Sequence, residues 1–453
     1  MSEQPPSYDE QSPPPYSEGP VNKDIDKIEL VISALKKREN VFLSGPGGTG
    51  KSFMIKEIYN RLSQEGYHIY KTASTGVSAD SIGGTTLHHW AGVQLGKNSA
   101  TSYYNYFRSN NALFLKWLDT QILIIDEISM IGASFFQKLA DIGELVFQNS
   151  KPFGAITLLI VGDICQLPPV NDNYFFETEA YQKLNFKAMR LTHPWRFQGD
   201  AKFFEILSRV RVGEHTDEDV SILNTCVKRY QKEILNRKFL VSDIKPTRMF
   251  AKKVDVDEIN MKELSQLPSD QYEYTCFDQL NKKDKKRSTA KIENFQTQMD
   301  KMVPVTIKLK KNAQVMLTYN LDTNIGLCNG SRGIVIECFD NEVLVQFKNG
   351  VTQMIRPNKW SFETETEVFE RYQIPLILAW SNTIHKSQSS TLDYVIIDIG
   401  TSIFSANMAY VALSRCRSID GLYIINLIKN KIYCDPKALE FEKYLIELSE
   451  NWD

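Results

Sequence analysis

The stretch "NVFLSGPGGTGKSFMIKEIYN", residues 40–60, decides the fold. Its first residues form an apolar run that predicts a buried strand, and the residues after the lysine have helical periodicity. Between them, "GPGGTGKS" has the spacing G-x-x-x-x-G-K-S of a loop that binds phosphate through backbone N–H groups at a helix N-terminus. The predicted nucleotide-binding residues are Gly45, Pro46, Gly47, Gly48, Thr49, Gly50, Lys51 and Ser52.

Two acids follow a second apolar run, "QILIIDE". A phosphate loop works with an acid at a neighbouring strand end, so we expect Asp126 and Ser52 to hold Mg²⁺ and Glu127 to polarise the attacking water. Lys51 would bridge the β- and γ-phosphates. Taken alone, the acid pair also fits a capped strand end at the surface. A third run, "AITLLIVGD", precedes Gln166, whose amide would sense the γ-phosphate.

Uninterrupted apolar strands alternate with helical segments in the first half of the chain. This pattern is typical of a parallel sheet covered by helices on both faces, so the predicted fold class is α/β. Between about 328 and 365, short β segments with turn signals predict a small all-β insert. Two later apolar runs, "QIPLILAWS" and "YVIIDIG", predict a return to the α/β sheet.

Composition excludes several classes of protein. The 453 residues carry a net charge of -2, which excludes a uniformly basic nucleic-acid coat and requires any positive field to be local. The 7 cysteines contain no CxxC pair, so neither a zinc site nor a disulfide framework is predicted. A reducing compartment, cytosol or nucleus, is the simplest setting. No apolar window reaches the ~18 residues that a membrane span needs.

Seven motifs occur in a characteristic order: "GPGGTGKS", "TASTGVSADSIGGTTLHHWAG", "LIIDEISM", "VGDICQLPPV", "AQVMLTYNLD…GLCNGSRG", "TIHKSQSSTLD" and "YVALSRCRS". Together they resemble the Pif-type DNA helicases of superfamily one, which are related to RecD-type helicases. The resemblance covers about residues 25–450. It implies a monomeric motor in which two RecA-like domains bind ATP and Mg²⁺ between them. It also implies 5′-to-3′ translocation on single-stranded DNA and duplex unwinding in replication, repair or recombination.

The resemblance also implies domain boundaries. A tail over 1–21 precedes a first RecA-like domain over 22–195, which carries a small wedge subdomain at about 95–120. The second RecA-like domain covers 196–453 and contains an SH3-like β insert at about 325–365.

Further site residues follow from the same motifs. Gln166 matches the polar residue of the third motif, Arg196 matches the arginine after the first domain, and Arg415 matches an arginine finger. These three complete a predicted catalytic set with Lys51, Asp126 and Glu127, while Gln388 would face the nucleotide. The implied DNA contacts are Thr75, Gly76, His88, Thr383, His385, Lys386 and Ser387. Trp90 and the tyrosines of "TSYYNYFRSNN" fit either base contact or packing in the protein.

Three positions depart from the family pattern. The upstream glutamine that reads adenine is replaced by Asp26, Lys27 or Ile28, so other nucleoside triphosphates are candidate substrates. Phe197 follows Arg196 where a glutamine is common. Ser389 stands where glycine is common, which removes backbone freedom near the DNA.

The tail contains two PPxY sequences, "PPSY" at 5–8 and "PPPY" at 13–16. Pro, Ser and Glu dominate it, so we predict a disordered segment with polyproline character. Such segments dock in WW domains, including those of ubiquitin ligases, although a plain Pro-rich spacer would look similar. A compact motor with this tail fits a nuclear or cytoplasmic protein, and a viral origin is compatible with it. The alternative functions are a single-strand translocase or RNA-acting NTPase with little unwinding, and an adaptor acting through the PPxY tail.

Overall fold

The computed structural model describes residues 21–93, 96–235, 244–282, 296, 299–300, 303–322, 325–327, 329–363, 367–388 and 390–452. The PPxY sequences and the departure at Ser389 lie outside the described residues.

A six-stranded parallel sheet forms the core of the first half of the chain. Its strands are β1 (Asn40–Ser44), β2 (Ile69–Ala73), β3 (Thr85–Thr86), β4 (Ile122–Asp126), β5 (Thr157–Gly162) and β6 (Phe186–Arg190). Its helices are α1 (Val21–Lys36), α2 (Lys51–Gln64), α3 (Gly76–Ser81), α4 (Leu87–Ala91), α5 (Ala100–Ser109), α6 (Asn111–Asp119), α7 (Ala133–Phe147) and α8 (Glu179–Lys183).

The strand order β3-β2-β4-β5-β1-β6 explains where the polar motifs meet. The phosphate loop follows β1, the acid pair ends β4, and Asp163 follows β5. Because the strands are parallel, their carboxyl ends lie at one edge of the sheet, where ligands of open α/β sheets bind. The predicted parallel α/β core is confirmed.

The second half of the chain holds another parallel sheet and a set of antiparallel strands. The strands are β7 (Thr247–Phe250), β8 (Gln271–Thr275), β9 (Phe277–Lys282), β10 (Thr306–Lys310), β11 (Gln314–Leu317), β12 (Arg332–Cys338), β13 (Val343–Phe347), β14 (Thr352–Ile355), β15 (Asn358–Glu363), β16 (Glu367–Gln373), β17 (Leu376–Leu378), β18 (Ser381–Thr383), β19 (Val395–Ile399) and β20 (Leu422–Leu427). The helices are α9 (Ala201–Val212), α10 (Asp217–Arg229), α11 (Lys253–Ser265), α12 (Met408–Leu413) and α13 (Pro436–Glu450).

The second parallel sheet has the order β18-β7-β19-β20 and packs against α9, α10 and α12. Between β7 and β18, the chain forms antiparallel sheets of five, three and two strands, ordered β14-β13-β12-β11-β17, β15-β16-β9 and β10-β8. This antiparallel module runs from Gln271 to Leu378, beyond both ends of the all-β segment expected from the sequence.

The run "QIPLILAWS" does not return the chain to the parallel sheet as expected. Its strand β17 pairs antiparallel with β11, with Leu317 opposite Leu376. The parallel pairing with β7 begins only at Ser381, whereas "YVIIDIG" forms β19 as predicted. An apolar run is buried equally well in either sheet, so its composition does not select the partner strand.

The last helix, α13, packs back on the first sheet. Phe441 and Leu445 join the same buried cluster as Phe42, and the rings of Phe176 and Phe441 stack with centroids 4.0 Å apart. A helix that follows the second parallel sheet thus completes the core of the first. No helix in the described ranges has the length and apolarity needed to cross a bilayer.

Candidate nucleotide site and nucleic-acid interface

The phosphate loop joins β1 to α2 in a conformation that requires glycine. Gly48 and Gly50 have φ angles of 86° and 94°, in the left-handed region that side chains disfavour. A Cβ on Gly48 would lie 2.7 Å from the Cβ of Arg196, so this part of the loop also has no space for a side chain. The Thr49 hydroxyl donates to the carbonyl of Pro46 at 2.8 Å, which closes the loop on itself.

Lys51 is buried within this loop. Its Nζ donates to the carbonyl oxygens of Gly45 at 2.7 Å and Pro46 at 2.9 Å. Burial lowers the pKa of Lys51, and the carboxylates of Asp163 and Glu127 partly oppose that shift. The ammonium is thus held at the loop, where phosphate oxygens can replace the two carbonyl partners.

The acid pair lies beside the lysine, at the end of β4. Oδ1 of Asp126 accepts a hydrogen bond from the Glu127 backbone N–H at 2.8 Å. Burial, followed by the charge of Glu127, raises the pKa of Asp126 to about 7. Oε2 of Glu127 accepts a hydrogen bond from Nε2 of Gln388 at 3.1 Å. Gln388 follows β18 of the second parallel sheet, so this bond crosses between the two cores.

Two arginines lie beside the phosphate loop and the acid pair. Arg196 donates from Nη1 to the carbonyl of Ser414 at 3.0 Å, and burial lowers its pKa to about 9, so it stays a cation at neutral pH. Arg415 donates from Nη2 to the hydroxyl of Ser414 at 2.8 Å. A Cβ built on Gly47 would lie 3.5 Å from Nη2 of Arg415, so this second-sheet cation lies next to the phosphate loop.

These groups line one cleft of about 540 Å³. Its lining consists of Gly47, Gly48, Gly50, Lys51, Ser52, Phe53, Ser81, Asp126, Glu127, Gln166, Trp195, Arg196, Thr391, Arg415 and Arg417. Gln388 touches Glu127 but is not part of this lining. The predicted catalytic residues are therefore brought together, although they come from distant parts of the sequence.

The cleft suits magnesium but not a metal held by protein ligands alone. Among the described residues, no cluster of three or more His, Cys, Asp or Glu side chains could hold a metal ion. Ser52 and Asp126 offer a hydroxyl and a buried carboxyl to the same cleft. Oxygen ligands in this number fit Mg²⁺, which keeps several waters and takes the rest of its shell from phosphate.

A second cavity of about 620 Å³ adjoins the cleft and shares Ser81 and Thr391 with it. Lys386 and Ser387, two of the predicted DNA contacts, line this cavity. The other cations along its wall are Lys56, Lys71 and Arg332. The lining therefore carries four cationic side chains against the single carboxyl group of Asp80.

Thr383 and His385 are the other predicted DNA contacts of the second sheet. They lie just before Lys386 in the sequence but do not line this cavity. Thr383 accepts a hydrogen bond from the backbone N–H of Lys386 at 3.2 Å, which shapes the turn after β18. His385 is half-buried, and burial lowers its pKa, so its ring is neutral at physiological pH.

The predicted DNA contacts of the first sheet line neither cavity. Thr75 caps α3 by accepting from the backbone N–H of Ser78 at 3.2 Å, and a Cβ on Gly76 would meet open space. His88 stacks on Phe135 with ring centroids 3.9 Å apart, and burial lowers its pKa.

Two aromatic candidates prove to be structural. Trp90 is a core residue, 1% exposed, with its ring centroid 4.6 Å from that of Trp117. In the predicted wedge segment, Tyr103 is buried and donates to the carbonyl of Val93 at 2.8 Å. Packing, rather than base stacking, accounts for both.

The sequence reasoning missed several residues of the site. Phe53 and Trp195 line the cleft, and both adjoin residues already assigned, which is the signal that would have found them. Tyr410 contacts the phosphate loop from α12, and its only sequence signal was its place in "YVALSRCRS". Asp163 forms a buried ion pair with Arg211, which a lone Gly-Asp after a strand does not signal.

Comparison with known proteins identifies the family. Residues 22–221 match the profile of the PIF1-like helicases, and residues 297–338 match the 2B domain of DNA helicase Pif1. The chain is 31% identical to the ATP-dependent DNA helicase RRM3 of Saccharomyces cerevisiae, with 94% of this chain and 68% of that protein aligned. The chain belongs to the Pif1-like helicase family.

Other relatives of this Pif1-like chain are longer. It is 37% identical to the ATP-dependent DNA helicase PIF1 of Xenopus laevis, aligning 91% of this chain and 63% of that protein. For the human PIF1 helicase the identity is 36%, aligning 91% of this chain and 62% of that protein. The Pif1-like chain thus spans less than two thirds of these curated relatives.

Solved structures of the family match the whole architecture. The crystal structure of Pif1 from Candida albicans superimposes with a TM-score of 0.79 at 32% identity, covering 93% of this chain and 99% of that one. A Bacteroides Pif1 in complex with ADP-AlF4 gives a TM-score of 0.70 at 26% identity, covering 93% and 97%. The two parallel-sheet cores are accordingly the RecA-like domains of a Pif1-like protein.

Proposed function

We propose that this protein is an ATP-dependent DNA helicase that translocates 5′ to 3′. The observation that carries the proposal is that two residues of the second RecA-like domain lie at the nucleotide site of the first. Gln388 donates to Glu127, and Arg415 lies next to the phosphate loop at Gly47. Residues supplied across a domain cleft complete the site only when the cleft is closed. Hydrolysis is thereby coupled to domain motion, which a motor requires.

The chemistry follows from the positions of the side chains. The phosphate loop and Lys51 bind the phosphates, while Glu127 orients the attacking water for in-line displacement. Arg196 and Arg415 stabilise the charge that develops on the transferred phosphoryl group. Magnesium, when bound by Ser52 and Asp126, supplies further charge neutralisation. Gln388 positions Glu127 through its amide, while the amide of Gln166, which lines the same cleft, senses the γ-phosphate.

Lys51→Ala tests the site assignment. Loss of the ammonium removes the phosphate clamp, so hydrolysis falls to background in a steady-state ATPase assay. Lys37→Ala, at the exposed end of α1, is the matched control and keeps wild-type turnover. Hydrolysis retained by Lys51→Ala would overturn the assignment.

We also propose the course of the nucleic acid. Single-stranded DNA would lie over the motifs that contain Thr75 and His88 in the first domain and those with Thr383, His385 and Lys386 in the second. A solved Bacteroides Pif1 contains ADP-AlF3 and single-stranded DNA, which supports this substrate class. ATPase stimulation by DNA and RNA of one sequence separates the proposal from an RNA-acting NTPase, for which only RNA would stimulate.

At the base end of the cleft, this chain has aromatic side chains instead of the adenine-reading glutamine. Phe53 is 52% exposed, and Trp195 lines the same cleft. Lys27, at one of the positions where that glutamine is expected, donates to the carbonyl of Arg190 at 3.1 Å. Aromatic faces stack on any base, so we propose weak selectivity among nucleoside triphosphates.

Several finer assignments complete the proposal. We assign the antiparallel module as the SH3-like insert of the second domain, the helices α5 and α6 as the wedge subdomain, and the boundary between the RecA-like domains as 195/196. The protein acts as a monomer on DNA inside the cell. The sequence basis for a viral origin remains the PPxY tail alone.

The PPxY tail supports a second, separate role as a ligand of WW-domain proteins. A preformed polyproline segment loses little entropy on docking, and two copies provide avidity for tandem WW domains. A peptide of residues 1–20 is expected to shift WW-domain resonances in an NMR titration, whereas a peptide with Tyr8 and Tyr16 replaced by Ala is not. Absence of shifts with the native peptide across a WW panel would reject this role.

A further inference from the structure

Tyr410 makes an interdomain contact that none of the catalytic roles above uses. It lies on α12 of the second RecA-like domain, and its hydroxyl accepts a hydrogen bond from the backbone N–H of Gly47 at 3.0 Å. The same hydroxyl donates to Oδ2 of Asp163 at 3.0 Å. One oxygen atom therefore joins the phosphate loop and the end of β5 to the opposite domain.

The surroundings keep this hydroxyl protonated and fixed. Tyr410 is 3% exposed, and burial, reinforced by the charge of Asp163, raises its pKa far above the ordinary value. Burial alone would raise the pKa of Asp163, but the charges of Arg211 and Lys51 outweigh it and hold that pKa below the ordinary value. In this arrangement the lowered pKa of Asp163 favours the carboxylate that accepts the Tyr410 hydrogen bond.

Asp163 also accepts from an arginine on α9, a helix that packs against the second parallel sheet. Nε of Arg211 donates to Oδ1 of Asp163 at 2.8 Å, and Nη2 of Arg211 lies 2.9 Å from Oε2 of Glu442 on α13. Arg211, Asp163 and Glu442 are all at most 3% exposed. Tyr410 and Arg211, both on helices of the second-sheet core, therefore hold Asp163 of the first domain together.

A second hydrogen bond beside Tyr410 also connects the second domain to the first. Asn407, three residues earlier, donates from Nδ2 to the carbonyl of Gln166 at 2.9 Å. The start of α12 therefore docks on two motifs of the nucleotide site at once, the phosphate loop and the segment that contains Gln166.

We propose that Tyr410 is a positioning residue that fixes the phosphate loop when the two RecA-like domains close. The inference rests on the proposed function, because it assumes that closure accompanies hydrolysis. When the domains separate, Gly47 loses the Tyr410 acceptor and Asp163 loses the Tyr410 donor. When they close, the hydroxyl restores both bonds and sets the loop geometry in which Arg415 meets the nucleotide.

Tyr410→Phe removes only the hydroxyl and tests this role. Since the bond belongs to the closed state, the DNA-stimulated kcat for ATP falls about ten-fold, while KM and the affinity for a fluorescent ADP analogue in the absence of DNA change by less than about three-fold. The matched control is Tyr423→Phe, which removes a hydroxyl 3.4 Å from Glu233 in the same domain. This control keeps the wild-type kcat.

A variant with para-aminophenylalanine at position 410 separates the hydrogen bonds from ring packing. Its amine still donates to Asp163, so its kcat lies between those of wild type and Tyr410→Phe. If Tyr410→Phe folds poorly, as judged by its unfolding temperature, the amine variant and wild type still provide the comparison. The inference is overturned if the kcat of the amine variant is no higher than that of a folded Tyr410→Phe. It is also overturned if both variants have the wild-type kcat. Absence of ATP hydrolysis by the wild type would instead overturn the proposed function.

Discussion

Nε2 of Gln388 lies 3.1 Å from Oε2 of Glu127, although the two residues are 261 positions apart in the sequence. The donor belongs to the second RecA-like domain, and the acceptor is the carboxylate proposed to orient the attacking water. The contact makes the state of the water-orienting group depend on whether the domains are closed. It also places the last residue of the motif "HKSQ" against the proposed water-orienting carboxylate.

Gln388→Ala should therefore slow hydrolysis without weakening nucleotide binding. Without its amide partner, Glu127 is held less firmly, and we expect the DNA-stimulated kcat to fall about ten-fold with KM for ATP nearly unchanged. Gln353→Ala on the exposed face of β14 is the control. Equal kcat values for both variants and the wild type would remove Gln388 from the site.

Asp126→Asn should stabilise the fold while it abolishes hydrolysis. Because the pKa of Asp126 rises from 3.8 to about 7 on folding, the folded protein retains a proton that the unfolded chain loses between these values. The contribution of this group to stability therefore falls as pH rises through that window, at about 1.4 kcal/mol per pH unit. The amide removes this loss, so the variant unfolds at a higher temperature at pH 8.

The control for this prediction is how the difference in unfolding temperature between the two proteins changes with pH. In nucleotide-free buffer without divalent cations, the difference in unfolding temperature between Asp126→Asn and wild type should be large at pH 8 and small at pH 4.5. A difference that does not change with pH would show that Asp126 does not carry the raised pKa.

Phe53→Ala should weaken the binding of every nucleoside triphosphate to a similar degree. Loss of a stacking face costs about 1–3 kcal/mol, and stacking does not distinguish among bases. KM values for ATP, GTP, CTP and UTP should all rise, with their ratios unchanged. Phe277→Ala, at a position 63% exposed on β9, is the control. A rise confined to ATP would mean that the site reads adenine by another route.

Lys386→Ala should lower the affinity for single-stranded DNA, and the affinity that remains should depend less on salt concentration. If the ammonium contacts a phosphate, the slope of log K against log salt decreases by about 0.7 for a single strand. Fluorescence anisotropy at several salt concentrations measures this slope. Lys183→Ala removes an exposed lysine on α8 that is paired with Glu179, and it should leave the slope unchanged. An unchanged slope for Lys386→Ala would remove Lys386 from the DNA path.

That the candidate nucleotide-site residues would meet was largely predictable, because the motifs that contain them have short spacings. The phosphate loop, the acid pair and the motifs of Arg415 and Gln388 are each contained within a few residues, and parallel strands bring them to one edge. The bond between Gly47 and Tyr410 joins residues 363 positions apart, and no local pattern encodes it.

The points that the sequence left open or predicted wrongly also depend on contacts between distant parts of the chain. Trp90 and Tyr103 satisfy both a core and a base-stacking interpretation, and only the three-dimensional packing decides between them. The strand in "QIPLILAWS" is apolar enough for either sheet, and its partner β11 lies more than fifty residues earlier. The return of α13 to the first core likewise depends on surface complementarity between distant segments.

Unwinding of tailed duplexes tests the central claim most directly. Wild-type protein with ATP and magnesium is mixed with DNA duplexes of one sequence that carry either a 5′ or a 3′ single-stranded tail, and strand separation is followed by fluorescence. ATP-dependent unwinding of the 5′-tailed DNA, lost in Lys51→Ala, is the predicted result. Unwinding of only the 3′-tailed DNA, or of neither duplex while ATP is hydrolysed, would contradict the account.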